Sequence, residues 1–263
     1  MGGSIVEGLE IEVRERIGYV TIDRPERRNA LSQEVMVGLV EAFDHFDRDE
    51  EVWVVLVTGA GDKAFSAGRD LKQLSERGDD GLGPHLPMKG VERNAFEAVY
   101  ECRKPVVAAI NGWAVGGGLE LAMACDLRVA SEHAKLGLPE SLRGMGANFG
   151  AAILPRLVPV GVANELLYLG GSITAEEAQR WGLVNQVYPA ERFRDEAEAY
   201  VRLLLERAPL TIRRYKAVVQ KSLELPLSAA LRLELAPNPY LSEDRVEGVK
   251  AFVEKRAPQW KAR

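Results

Sequence analysis

Over roughly the first half of the chain, short and nearly unbroken apolar runs alternate with stretches whose apolar residues recur at helical spacing. Residues 18–23 (Gly-Tyr-Val-Thr-Ile-Asp) read as a strand, stopped by Arg24-Pro25. Ser32 is placed to cap a helix that would carry Val35, Leu39, Phe43 and Phe46 on one face. Residues 53–58 form a second apolar strand ended by Gly59-Ala60-Gly61, residues 105–110 a third, and residues 126–130 a fourth. Strands with so little polar alternation, separated by helices, predict an α/β sheet covered on both faces.

Residues 74–89 are polar and rich in Gly and Pro, and they read as a mobile lid or binding loop. Thr174 and Glu177 form a capping-box pair for a short helix that Gly182 would end. Beyond about residue 190 the pattern becomes helical throughout: 191–207, 211–223, 228–235 and 242–256, with Pro209, Pro226, Pro237 and Pro239 between them. The chain therefore divides into a core at 1–190 and a helical region at 191–263.

The chain has 263 residues with 46% hydrophobic and 28% charged, as in an ordinary globular protein, and no apolar run approaches the ~18 residues of a membrane span. The start of the sequence has no basic region followed by an apolar run, so no signal peptide is read there, and a cytoplasmic location is expected. Cys102 and Cys125 accordingly read as reduced core thiols. A net charge of −5 argues against a broad nucleic-acid-binding face, while leaving room for a local basic patch.

The densest chemical signal is Gly116-Gly117-Gly118-Leu119-Glu120, which follows a buried strand and opens an apolar helix. Glycines let a ligand approach the main chain, and the first N–H groups of a helix are unpaired and electropositive, an arrangement that stabilises an oxyanion. The spacing is not that of a dinucleotide fingerprint, and neither a phosphate-binding P-loop nor a G-x-S-x-G nucleophile elbow occurs. The three histidines (His45, His85 and His133) are scattered, and no metal-ligand cluster is seen. Two carboxylates stand out. Glu120 lies in the first turn of the apolar helix and Glu140 follows Pro139 in another apolar stretch. An unpaired glutamate in apolar company has a raised pKa, which suits a general acid or base.

Several motifs occur in a fixed order: Ile22-Asp23-Arg24-Pro25 with Asn29-Ala30-Leu31, Ala64-Phe65-Ser66-Ala67-Gly68-Arg69-Asp70-Leu71, Lys104-Pro105 through Asn111-Gly112, Gly116 to Glu120, Ala124-Cys125-Asp126, and Ser242-Glu243-Asp244 with Ala251-Phe252. This ordered set resembles the enoyl-CoA hydratase/isomerase (crotonase) superfamily over nearly the whole chain. The resemblance implies a spiral of ββα units with a C-terminal helical region used for trimer contacts, in a trimer or a hexamer. It implies an acyl-CoA thioester as substrate, with no metal and no separate cofactor because the CoA is part of the substrate. It places the oxyanion hole at the N–H groups of Ala67 and Gly117. CoA contacts fall at Ala64, Ala67, Gly68, Arg69, Asp70, Leu71 and Gly116, with Arg28 or Lys255 meeting phosphates.

Both glutamates at the positions of a water-holding pair imply an enoyl-CoA hydratase, with Glu140 as main proton-transfer group and Glu120 activating the water. The alternatives within the family are a 3-enoyl to 2-enoyl isomerase, thioester hydrolysis, dehydration or dehalogenation. The alternative from another class is a non-catalytic CoA-ester or RNA-binding homologue. One segment departs from the hydratase pattern: Gly144-Met-Gly-Ala-Asn148-Phe149-Gly150 stands where a Pro-Gly-x-Gly-Gly loop is common, which leaves acyl-chain preference open.

Overall fold

The structure is a computed structural model and describes residues 4–76 and 93–263. Its strands are β1 (Ser4–Val6), β2 (Leu9–Arg14), β3 (Ile17–Ile22), β4 (Val54–Gly59), β5 (Ala64–Ser66), β6 (Val106–Ile110), β7 (Trp113–Val115), β8 (Leu127–Ser131), β9 (Lys135–Gly137), β10 (Ser172–Thr174) and β11 (Gln186–Tyr188). Seven of them form one sheet in the order β1-β2-β3-β4-β6-β8-β11, and four form a second in the order β10-β9-β7-β5. The large sheet is antiparallel through β3 and parallel beyond it.

Each central parallel strand is followed by a short strand of the small sheet: β4 by β5, β6 by β7, β8 by β9. A helix comes next after β5 (Leu71–Glu76) and after β7 (Gly117–Ala124). The successive ββα units wind as the spiral that the resemblance implies.

The unbroken apolar runs have the expected cause. In β6, Val106, Ala108 and Ile110 join the main core beneath the Gln33–Arg48, Ala95–Glu101 and Gly117–Ala124 helices. Val107 and Ala109 face the other way, onto Phe193, Ala197 and Val201 of the Phe193–Leu205 helix. With period-2 alternation and both faces covered, each position must be apolar. Ser32 caps its helix by accepting the Val35 N–H, and Val35, Leu39, Phe43 and Phe46 are buried. Thr174 and Glu177 complete the expected capping box, and Gly182 lies at φ +81°. Cys102 and Cys125 are free and buried.

Two expectations change. The helix read over 228–235 is only Leu227–Ala230; beyond Leu231 the N–H groups of Arg232 and Leu233 donate three residues back, to Ala229 and Ala230, instead of continuing the ladder four residues back. Of the loop read over 74–89, residues 74–76 end the Leu71–Glu76 helix, and 77–89 lie outside the described residues. The small sheet went unread because its strands are three residues long, too short for any periodicity to register.

Candidate active site

The glycine run does two separate jobs. Gly116, at φ +56°, ψ −130°, caps the helix Gly117–Ala124, and its N–H donates to the Gly137 carbonyl of β9 at 2.9 Å. A Cβ there would lie 2.9 Å from Glu140 Oε1, so the missing side chain makes room for that carboxyl. Gly117 is the first helical residue, and its N–H has no acceptor among the described residues.

Facing it is the turn after β5. Gly68, at φ +82°, is pressed against this same run: a Cβ would lie 2.7 Å from the Val115 carbonyl and 3.0 Å from Gly117 N. The expected second donor is not available here. The Ala67 N–H donates to the Arg28 carbonyl at 3.0 Å. Gly68 O and the Asp70 N–H are both taken by Leu31 through a parallel bridge, which turns the intervening Arg69 N–H the other way. Arg69 N lies 3.6 Å from where a Gly117 Cβ would stand, and it too has no acceptor among the described residues. Among the described residues, the N–H groups left without acceptors on either side of this contact are therefore those of Arg69 and Gly117.

Glu120 is one turn into the helix and only 7% exposed. Its Oε1 accepts the Gly150 N–H at 2.7 Å. Burial raises its pKa to about 7; the N–H groups of Gly150 and Phe149 offset part of that, and the nearby Glu140 carboxyl adds to it. Glu140 sits in a 3-10 turn, Pro139–Arg143, with the proline in its first turn. Burial raises its carboxyl as well, against the pull of its own N–H and Arg143, and its Oε2 is buried with no hydrogen-bond partner among the described residues. The unusual 144–152 segment thus supplies the N–H that orients Glu120, through the start of the Asn148–Leu157 helix.

A family model described as Enoyl-CoA hydratase/isomerase matches residues 12–263. The chain belongs to the enoyl-CoA hydratase/isomerase family. A protein of Salmonella typhi named carnitinyl-CoA dehydratase is 37% identical over 98% of this chain and 99% of its own length. The crystal structure of an enoyl-CoA hydratase from Bacillus anthracis has a TM-score of 0.88 at 32% identity, covering 98% of this chain and 100% of that one. An enoyl-CoA hydratase/carnithine racemase from Magnetospirillum magneticum gives 0.89 at 32% identity, covering 100% and 98%. Crotonase-family acyl-CoA chemistry is what these relationships support.

Other residues expected at this enoyl-CoA hydratase/isomerase site fall in different places. Asp70 is buried and fully engaged: its Oδ2 pairs with Arg24 Nη2 at 2.9 Å and its Oδ1 accepts the Gln73 N–H. Burial works to raise its pKa, but the Gln73 N–H and the Arg24 guanidinium outweigh this and hold it below the ordinary carboxylate range. The side chain of Ala64 is buried, whereas Arg28, Ala67, Arg69 and Leu71 are exposed. No hydrogen bond or ion pair among the described residues joins Lys255 to this group.

Asn29 and Asn111 were visible only as motif letters, yet they build the turn that leads into β5. Asn29 Nδ2 donates to the carbonyls of Ala60 and Ala64, and Asn111 Nδ2 to those of Gly59 and Gly61. Their signal was an amide residue in an apolar setting, since a buried amide is kept only where it is satisfied. Among the described residues no group of three His, Cys, Asp or Glu is arranged to hold a metal, and no helix is long and apolar enough to cross a membrane.

Proposed function

We propose that the protein adds water reversibly across the 2,3 double bond of an enoyl-CoA thioester. The observation that carries this reading is that two carboxyls, Glu120 and Glu140, flank the turn that presents the free Gly117 N–H. The thioester carbonyl accepts from Arg69 N–H and Gly117 N–H, which stabilise the enolate; one such donor is worth about 10²–10³ in rate. The Glu120 carboxylate, already oriented by Gly150, takes a proton from water as its oxygen bonds to C3. Glu140, whose Oε1 lies 2.9 Å from where a Gly116 Cβ would stand, delivers a proton to C2 as the enolate collapses. Acid–base help of this kind is worth about 10²–10⁴-fold. Exchange with solvent then resets both groups.

Run backwards, the same steps eliminate water from a 3-hydroxyacyl thioester, and the name of the Salmonella relatives supports that direction equally. The CoA moiety would lie along Gly68, Arg69 and Leu71, with the exposed side chains of Arg28 and Arg69 meeting its phosphates. The helical region 191–263 is proposed as the surface for trimer assembly. Its exposed Leu227, Leu231, Leu241, Val249 and Phe252 support that reading.

The test is hydration of crotonyl-CoA, followed as loss of the conjugated-enoyl absorbance, in the wild type and in Glu120→Gln and Glu140→Gln. Turnover that drops by about 10²-fold or more in each variant is expected. Intact binding of crotonyl-CoA with no turnover in the wild type would overturn the proposal.

A further inference from the structure

We infer that Phe149 and Phe96 close the acyl end of this site and restrict it to short acyl thioesters. The inference rests on the proposed seat of the thioester carbonyl at Arg69 and Gly117. Cζ of Phe96 lies 3.5 Å from where a Gly117 Cβ would stand, so this ring borders the carbonyl seat. Phe149 belongs to the segment beside Glu120, whose carboxyl takes its backbone N–H and that of Gly150. The two rings lie against each other, with centroids 5.7 Å apart and planes tilted by 44°. With the carbonyl seated at Gly117, carbons beyond C3 that continue past Glu120 meet this pair of packed rings.

That wall is braced. The Tyr100 ring meets Phe149 edge-on at 6.3 Å. Phe96 and Tyr100 share the Ala95–Glu101 helix, which an Asn94/Glu97 capping box starts and whose Ala98 and Val99 are fully buried. The Tyr100 carbonyl accepts from Gln220 Nε2 of the Pro209–Ser222 helix at 2.7 Å. Swinging Phe96 aside would disturb a core helix. Phe149 is half-buried, in the segment that departs from the common glycine-rich loop, and a glycine there would leave no ring at all.

Magnitudes separate a closed wall from an open tunnel. In an open apolar tunnel each further buried methylene tightens binding about fourfold. Against a braced wall it gains nothing and must displace packed rings, which costs about tenfold or more.

The experiment measures dissociation constants of butyryl-, hexanoyl-, octanoyl- and decanoyl-CoA by calorimetry, together with kcat/KM on the matching 2-enoyl thioesters. Wild type, Phe149→Ala, Phe149→Leu and Phe149→Trp are compared. In the wild type, affinity is expected to stop rising by the six-carbon chain and to fall about tenfold by decanoyl. Phe149→Ala, and to a lesser degree Phe149→Leu, should restore the gain per methylene out to octanoyl. Phe149→Trp should weaken hexanoyl while sparing butyryl. A wild-type affinity that climbs steadily to decanoyl overturns the inference, as does a folded Phe149→Ala with an unchanged length profile. Saturated thioesters do not react, so a length cut-off without any hydration overturns only the proposed reaction, and hydration without a cut-off overturns only the closed wall.

Discussion

Gly116 and Glu140 occupy one space between them: a Cβ on Gly116 would lie 2.9 Å from Glu140 Oε1, at a residue whose φ is +56°. The turn that presents the Gly117 N–H and the position of the acid at 140 are thus set by the same missing side chain. Gly116→Ala should displace the carboxyl and strain the backbone together. Expected is a loss of kcat of about 10²-fold or more, against a stability loss of about 1–3 kcal/mol. Steady-state hydration and urea denaturation of the same variant measure both; an alanine variant with unimpaired kcat would break the link.

The raised pKa of Glu120 makes stability depend on pH with a definite sign. An unfolded glutamate titrates near ~4.3, whereas this one titrates at about 7 in the fold. The fold binds the proton more tightly, so this contribution is fully present below the unfolded value and is lost as pH rises through about 7. Glu120→Gln escapes that loss. Its stability relative to wild type should rise between pH 5 and pH 8 by up to about 3 kcal/mol in urea denaturation. A gap that narrows with pH would refute the burial effect.

The same titration should shape the rate. With Glu120 acting as carboxylate, kcat/KM should fall on the acid side with a midpoint near about 7. Burial raises Glu140 as well, so the profile describes the pair rather than either residue alone. A pH–rate profile on crotonyl-CoA checks it. A flat profile from pH 5 to 7 would remove Glu120 from the role of base.

Arg24 holds the backbone of the turn after β5 through Asp70 at 2.9 Å, and it also donates to the Ala30 carbonyl. Arg24→Met leaves a buried carboxylate whose guanidinium partner is gone. A destabilisation of about 2–4 kcal/mol is expected, less than for a fully buried pair because Arg24 is 18% exposed. KM should rise more than kcat falls, since the Arg69 peptide loosens with its neighbour. Denaturation and steady-state kinetics separate these outcomes.

Arg128 is buried and donates to the carbonyls of Leu183, Ala122, Cys125 and Asp126, so it closes the C-terminal end of the helix whose start carries Gly117 and Glu120. Arg128→Met would strand several buried acceptors and should cost about 3 kcal/mol or more. Arg128→Lys should recover only part of it, because a single ammonium cannot span the same fork of carbonyls. Chemical denaturation of both variants ranks them.

Much of this was legible in residues alone. Both-face burial follows from unbroken apolar runs such as Val106–Ile110, because alternation fails only when neither face meets water. Ser32 and Thr174 announced their helices because a cap is a local hydrogen bond, settled within a few residues of chain. Glu120 stood out because an acid among apolar neighbours needs a reason. The short strands β5, β7, β9 and β10 were not legible, since three residues carry no period and their pairing is long-range.

By itself the sequence determined the family, the α/β order of elements and the two acids, because each is carried by residue type and local spacing. Only the tertiary structure decided which peptide N–H beside Gly117 is left without an acceptor among the described residues. Ala67 and Arg69 are two apart on one segment, and the choice between them rests on Leu31 taking Gly68 O and the Asp70 N–H while Arg28 takes the Ala67 N–H. Those contacts join positions more than thirty residues apart. A main-chain donor has no side chain to mark it, so nothing in the letters distinguishes a free N–H from an occupied one.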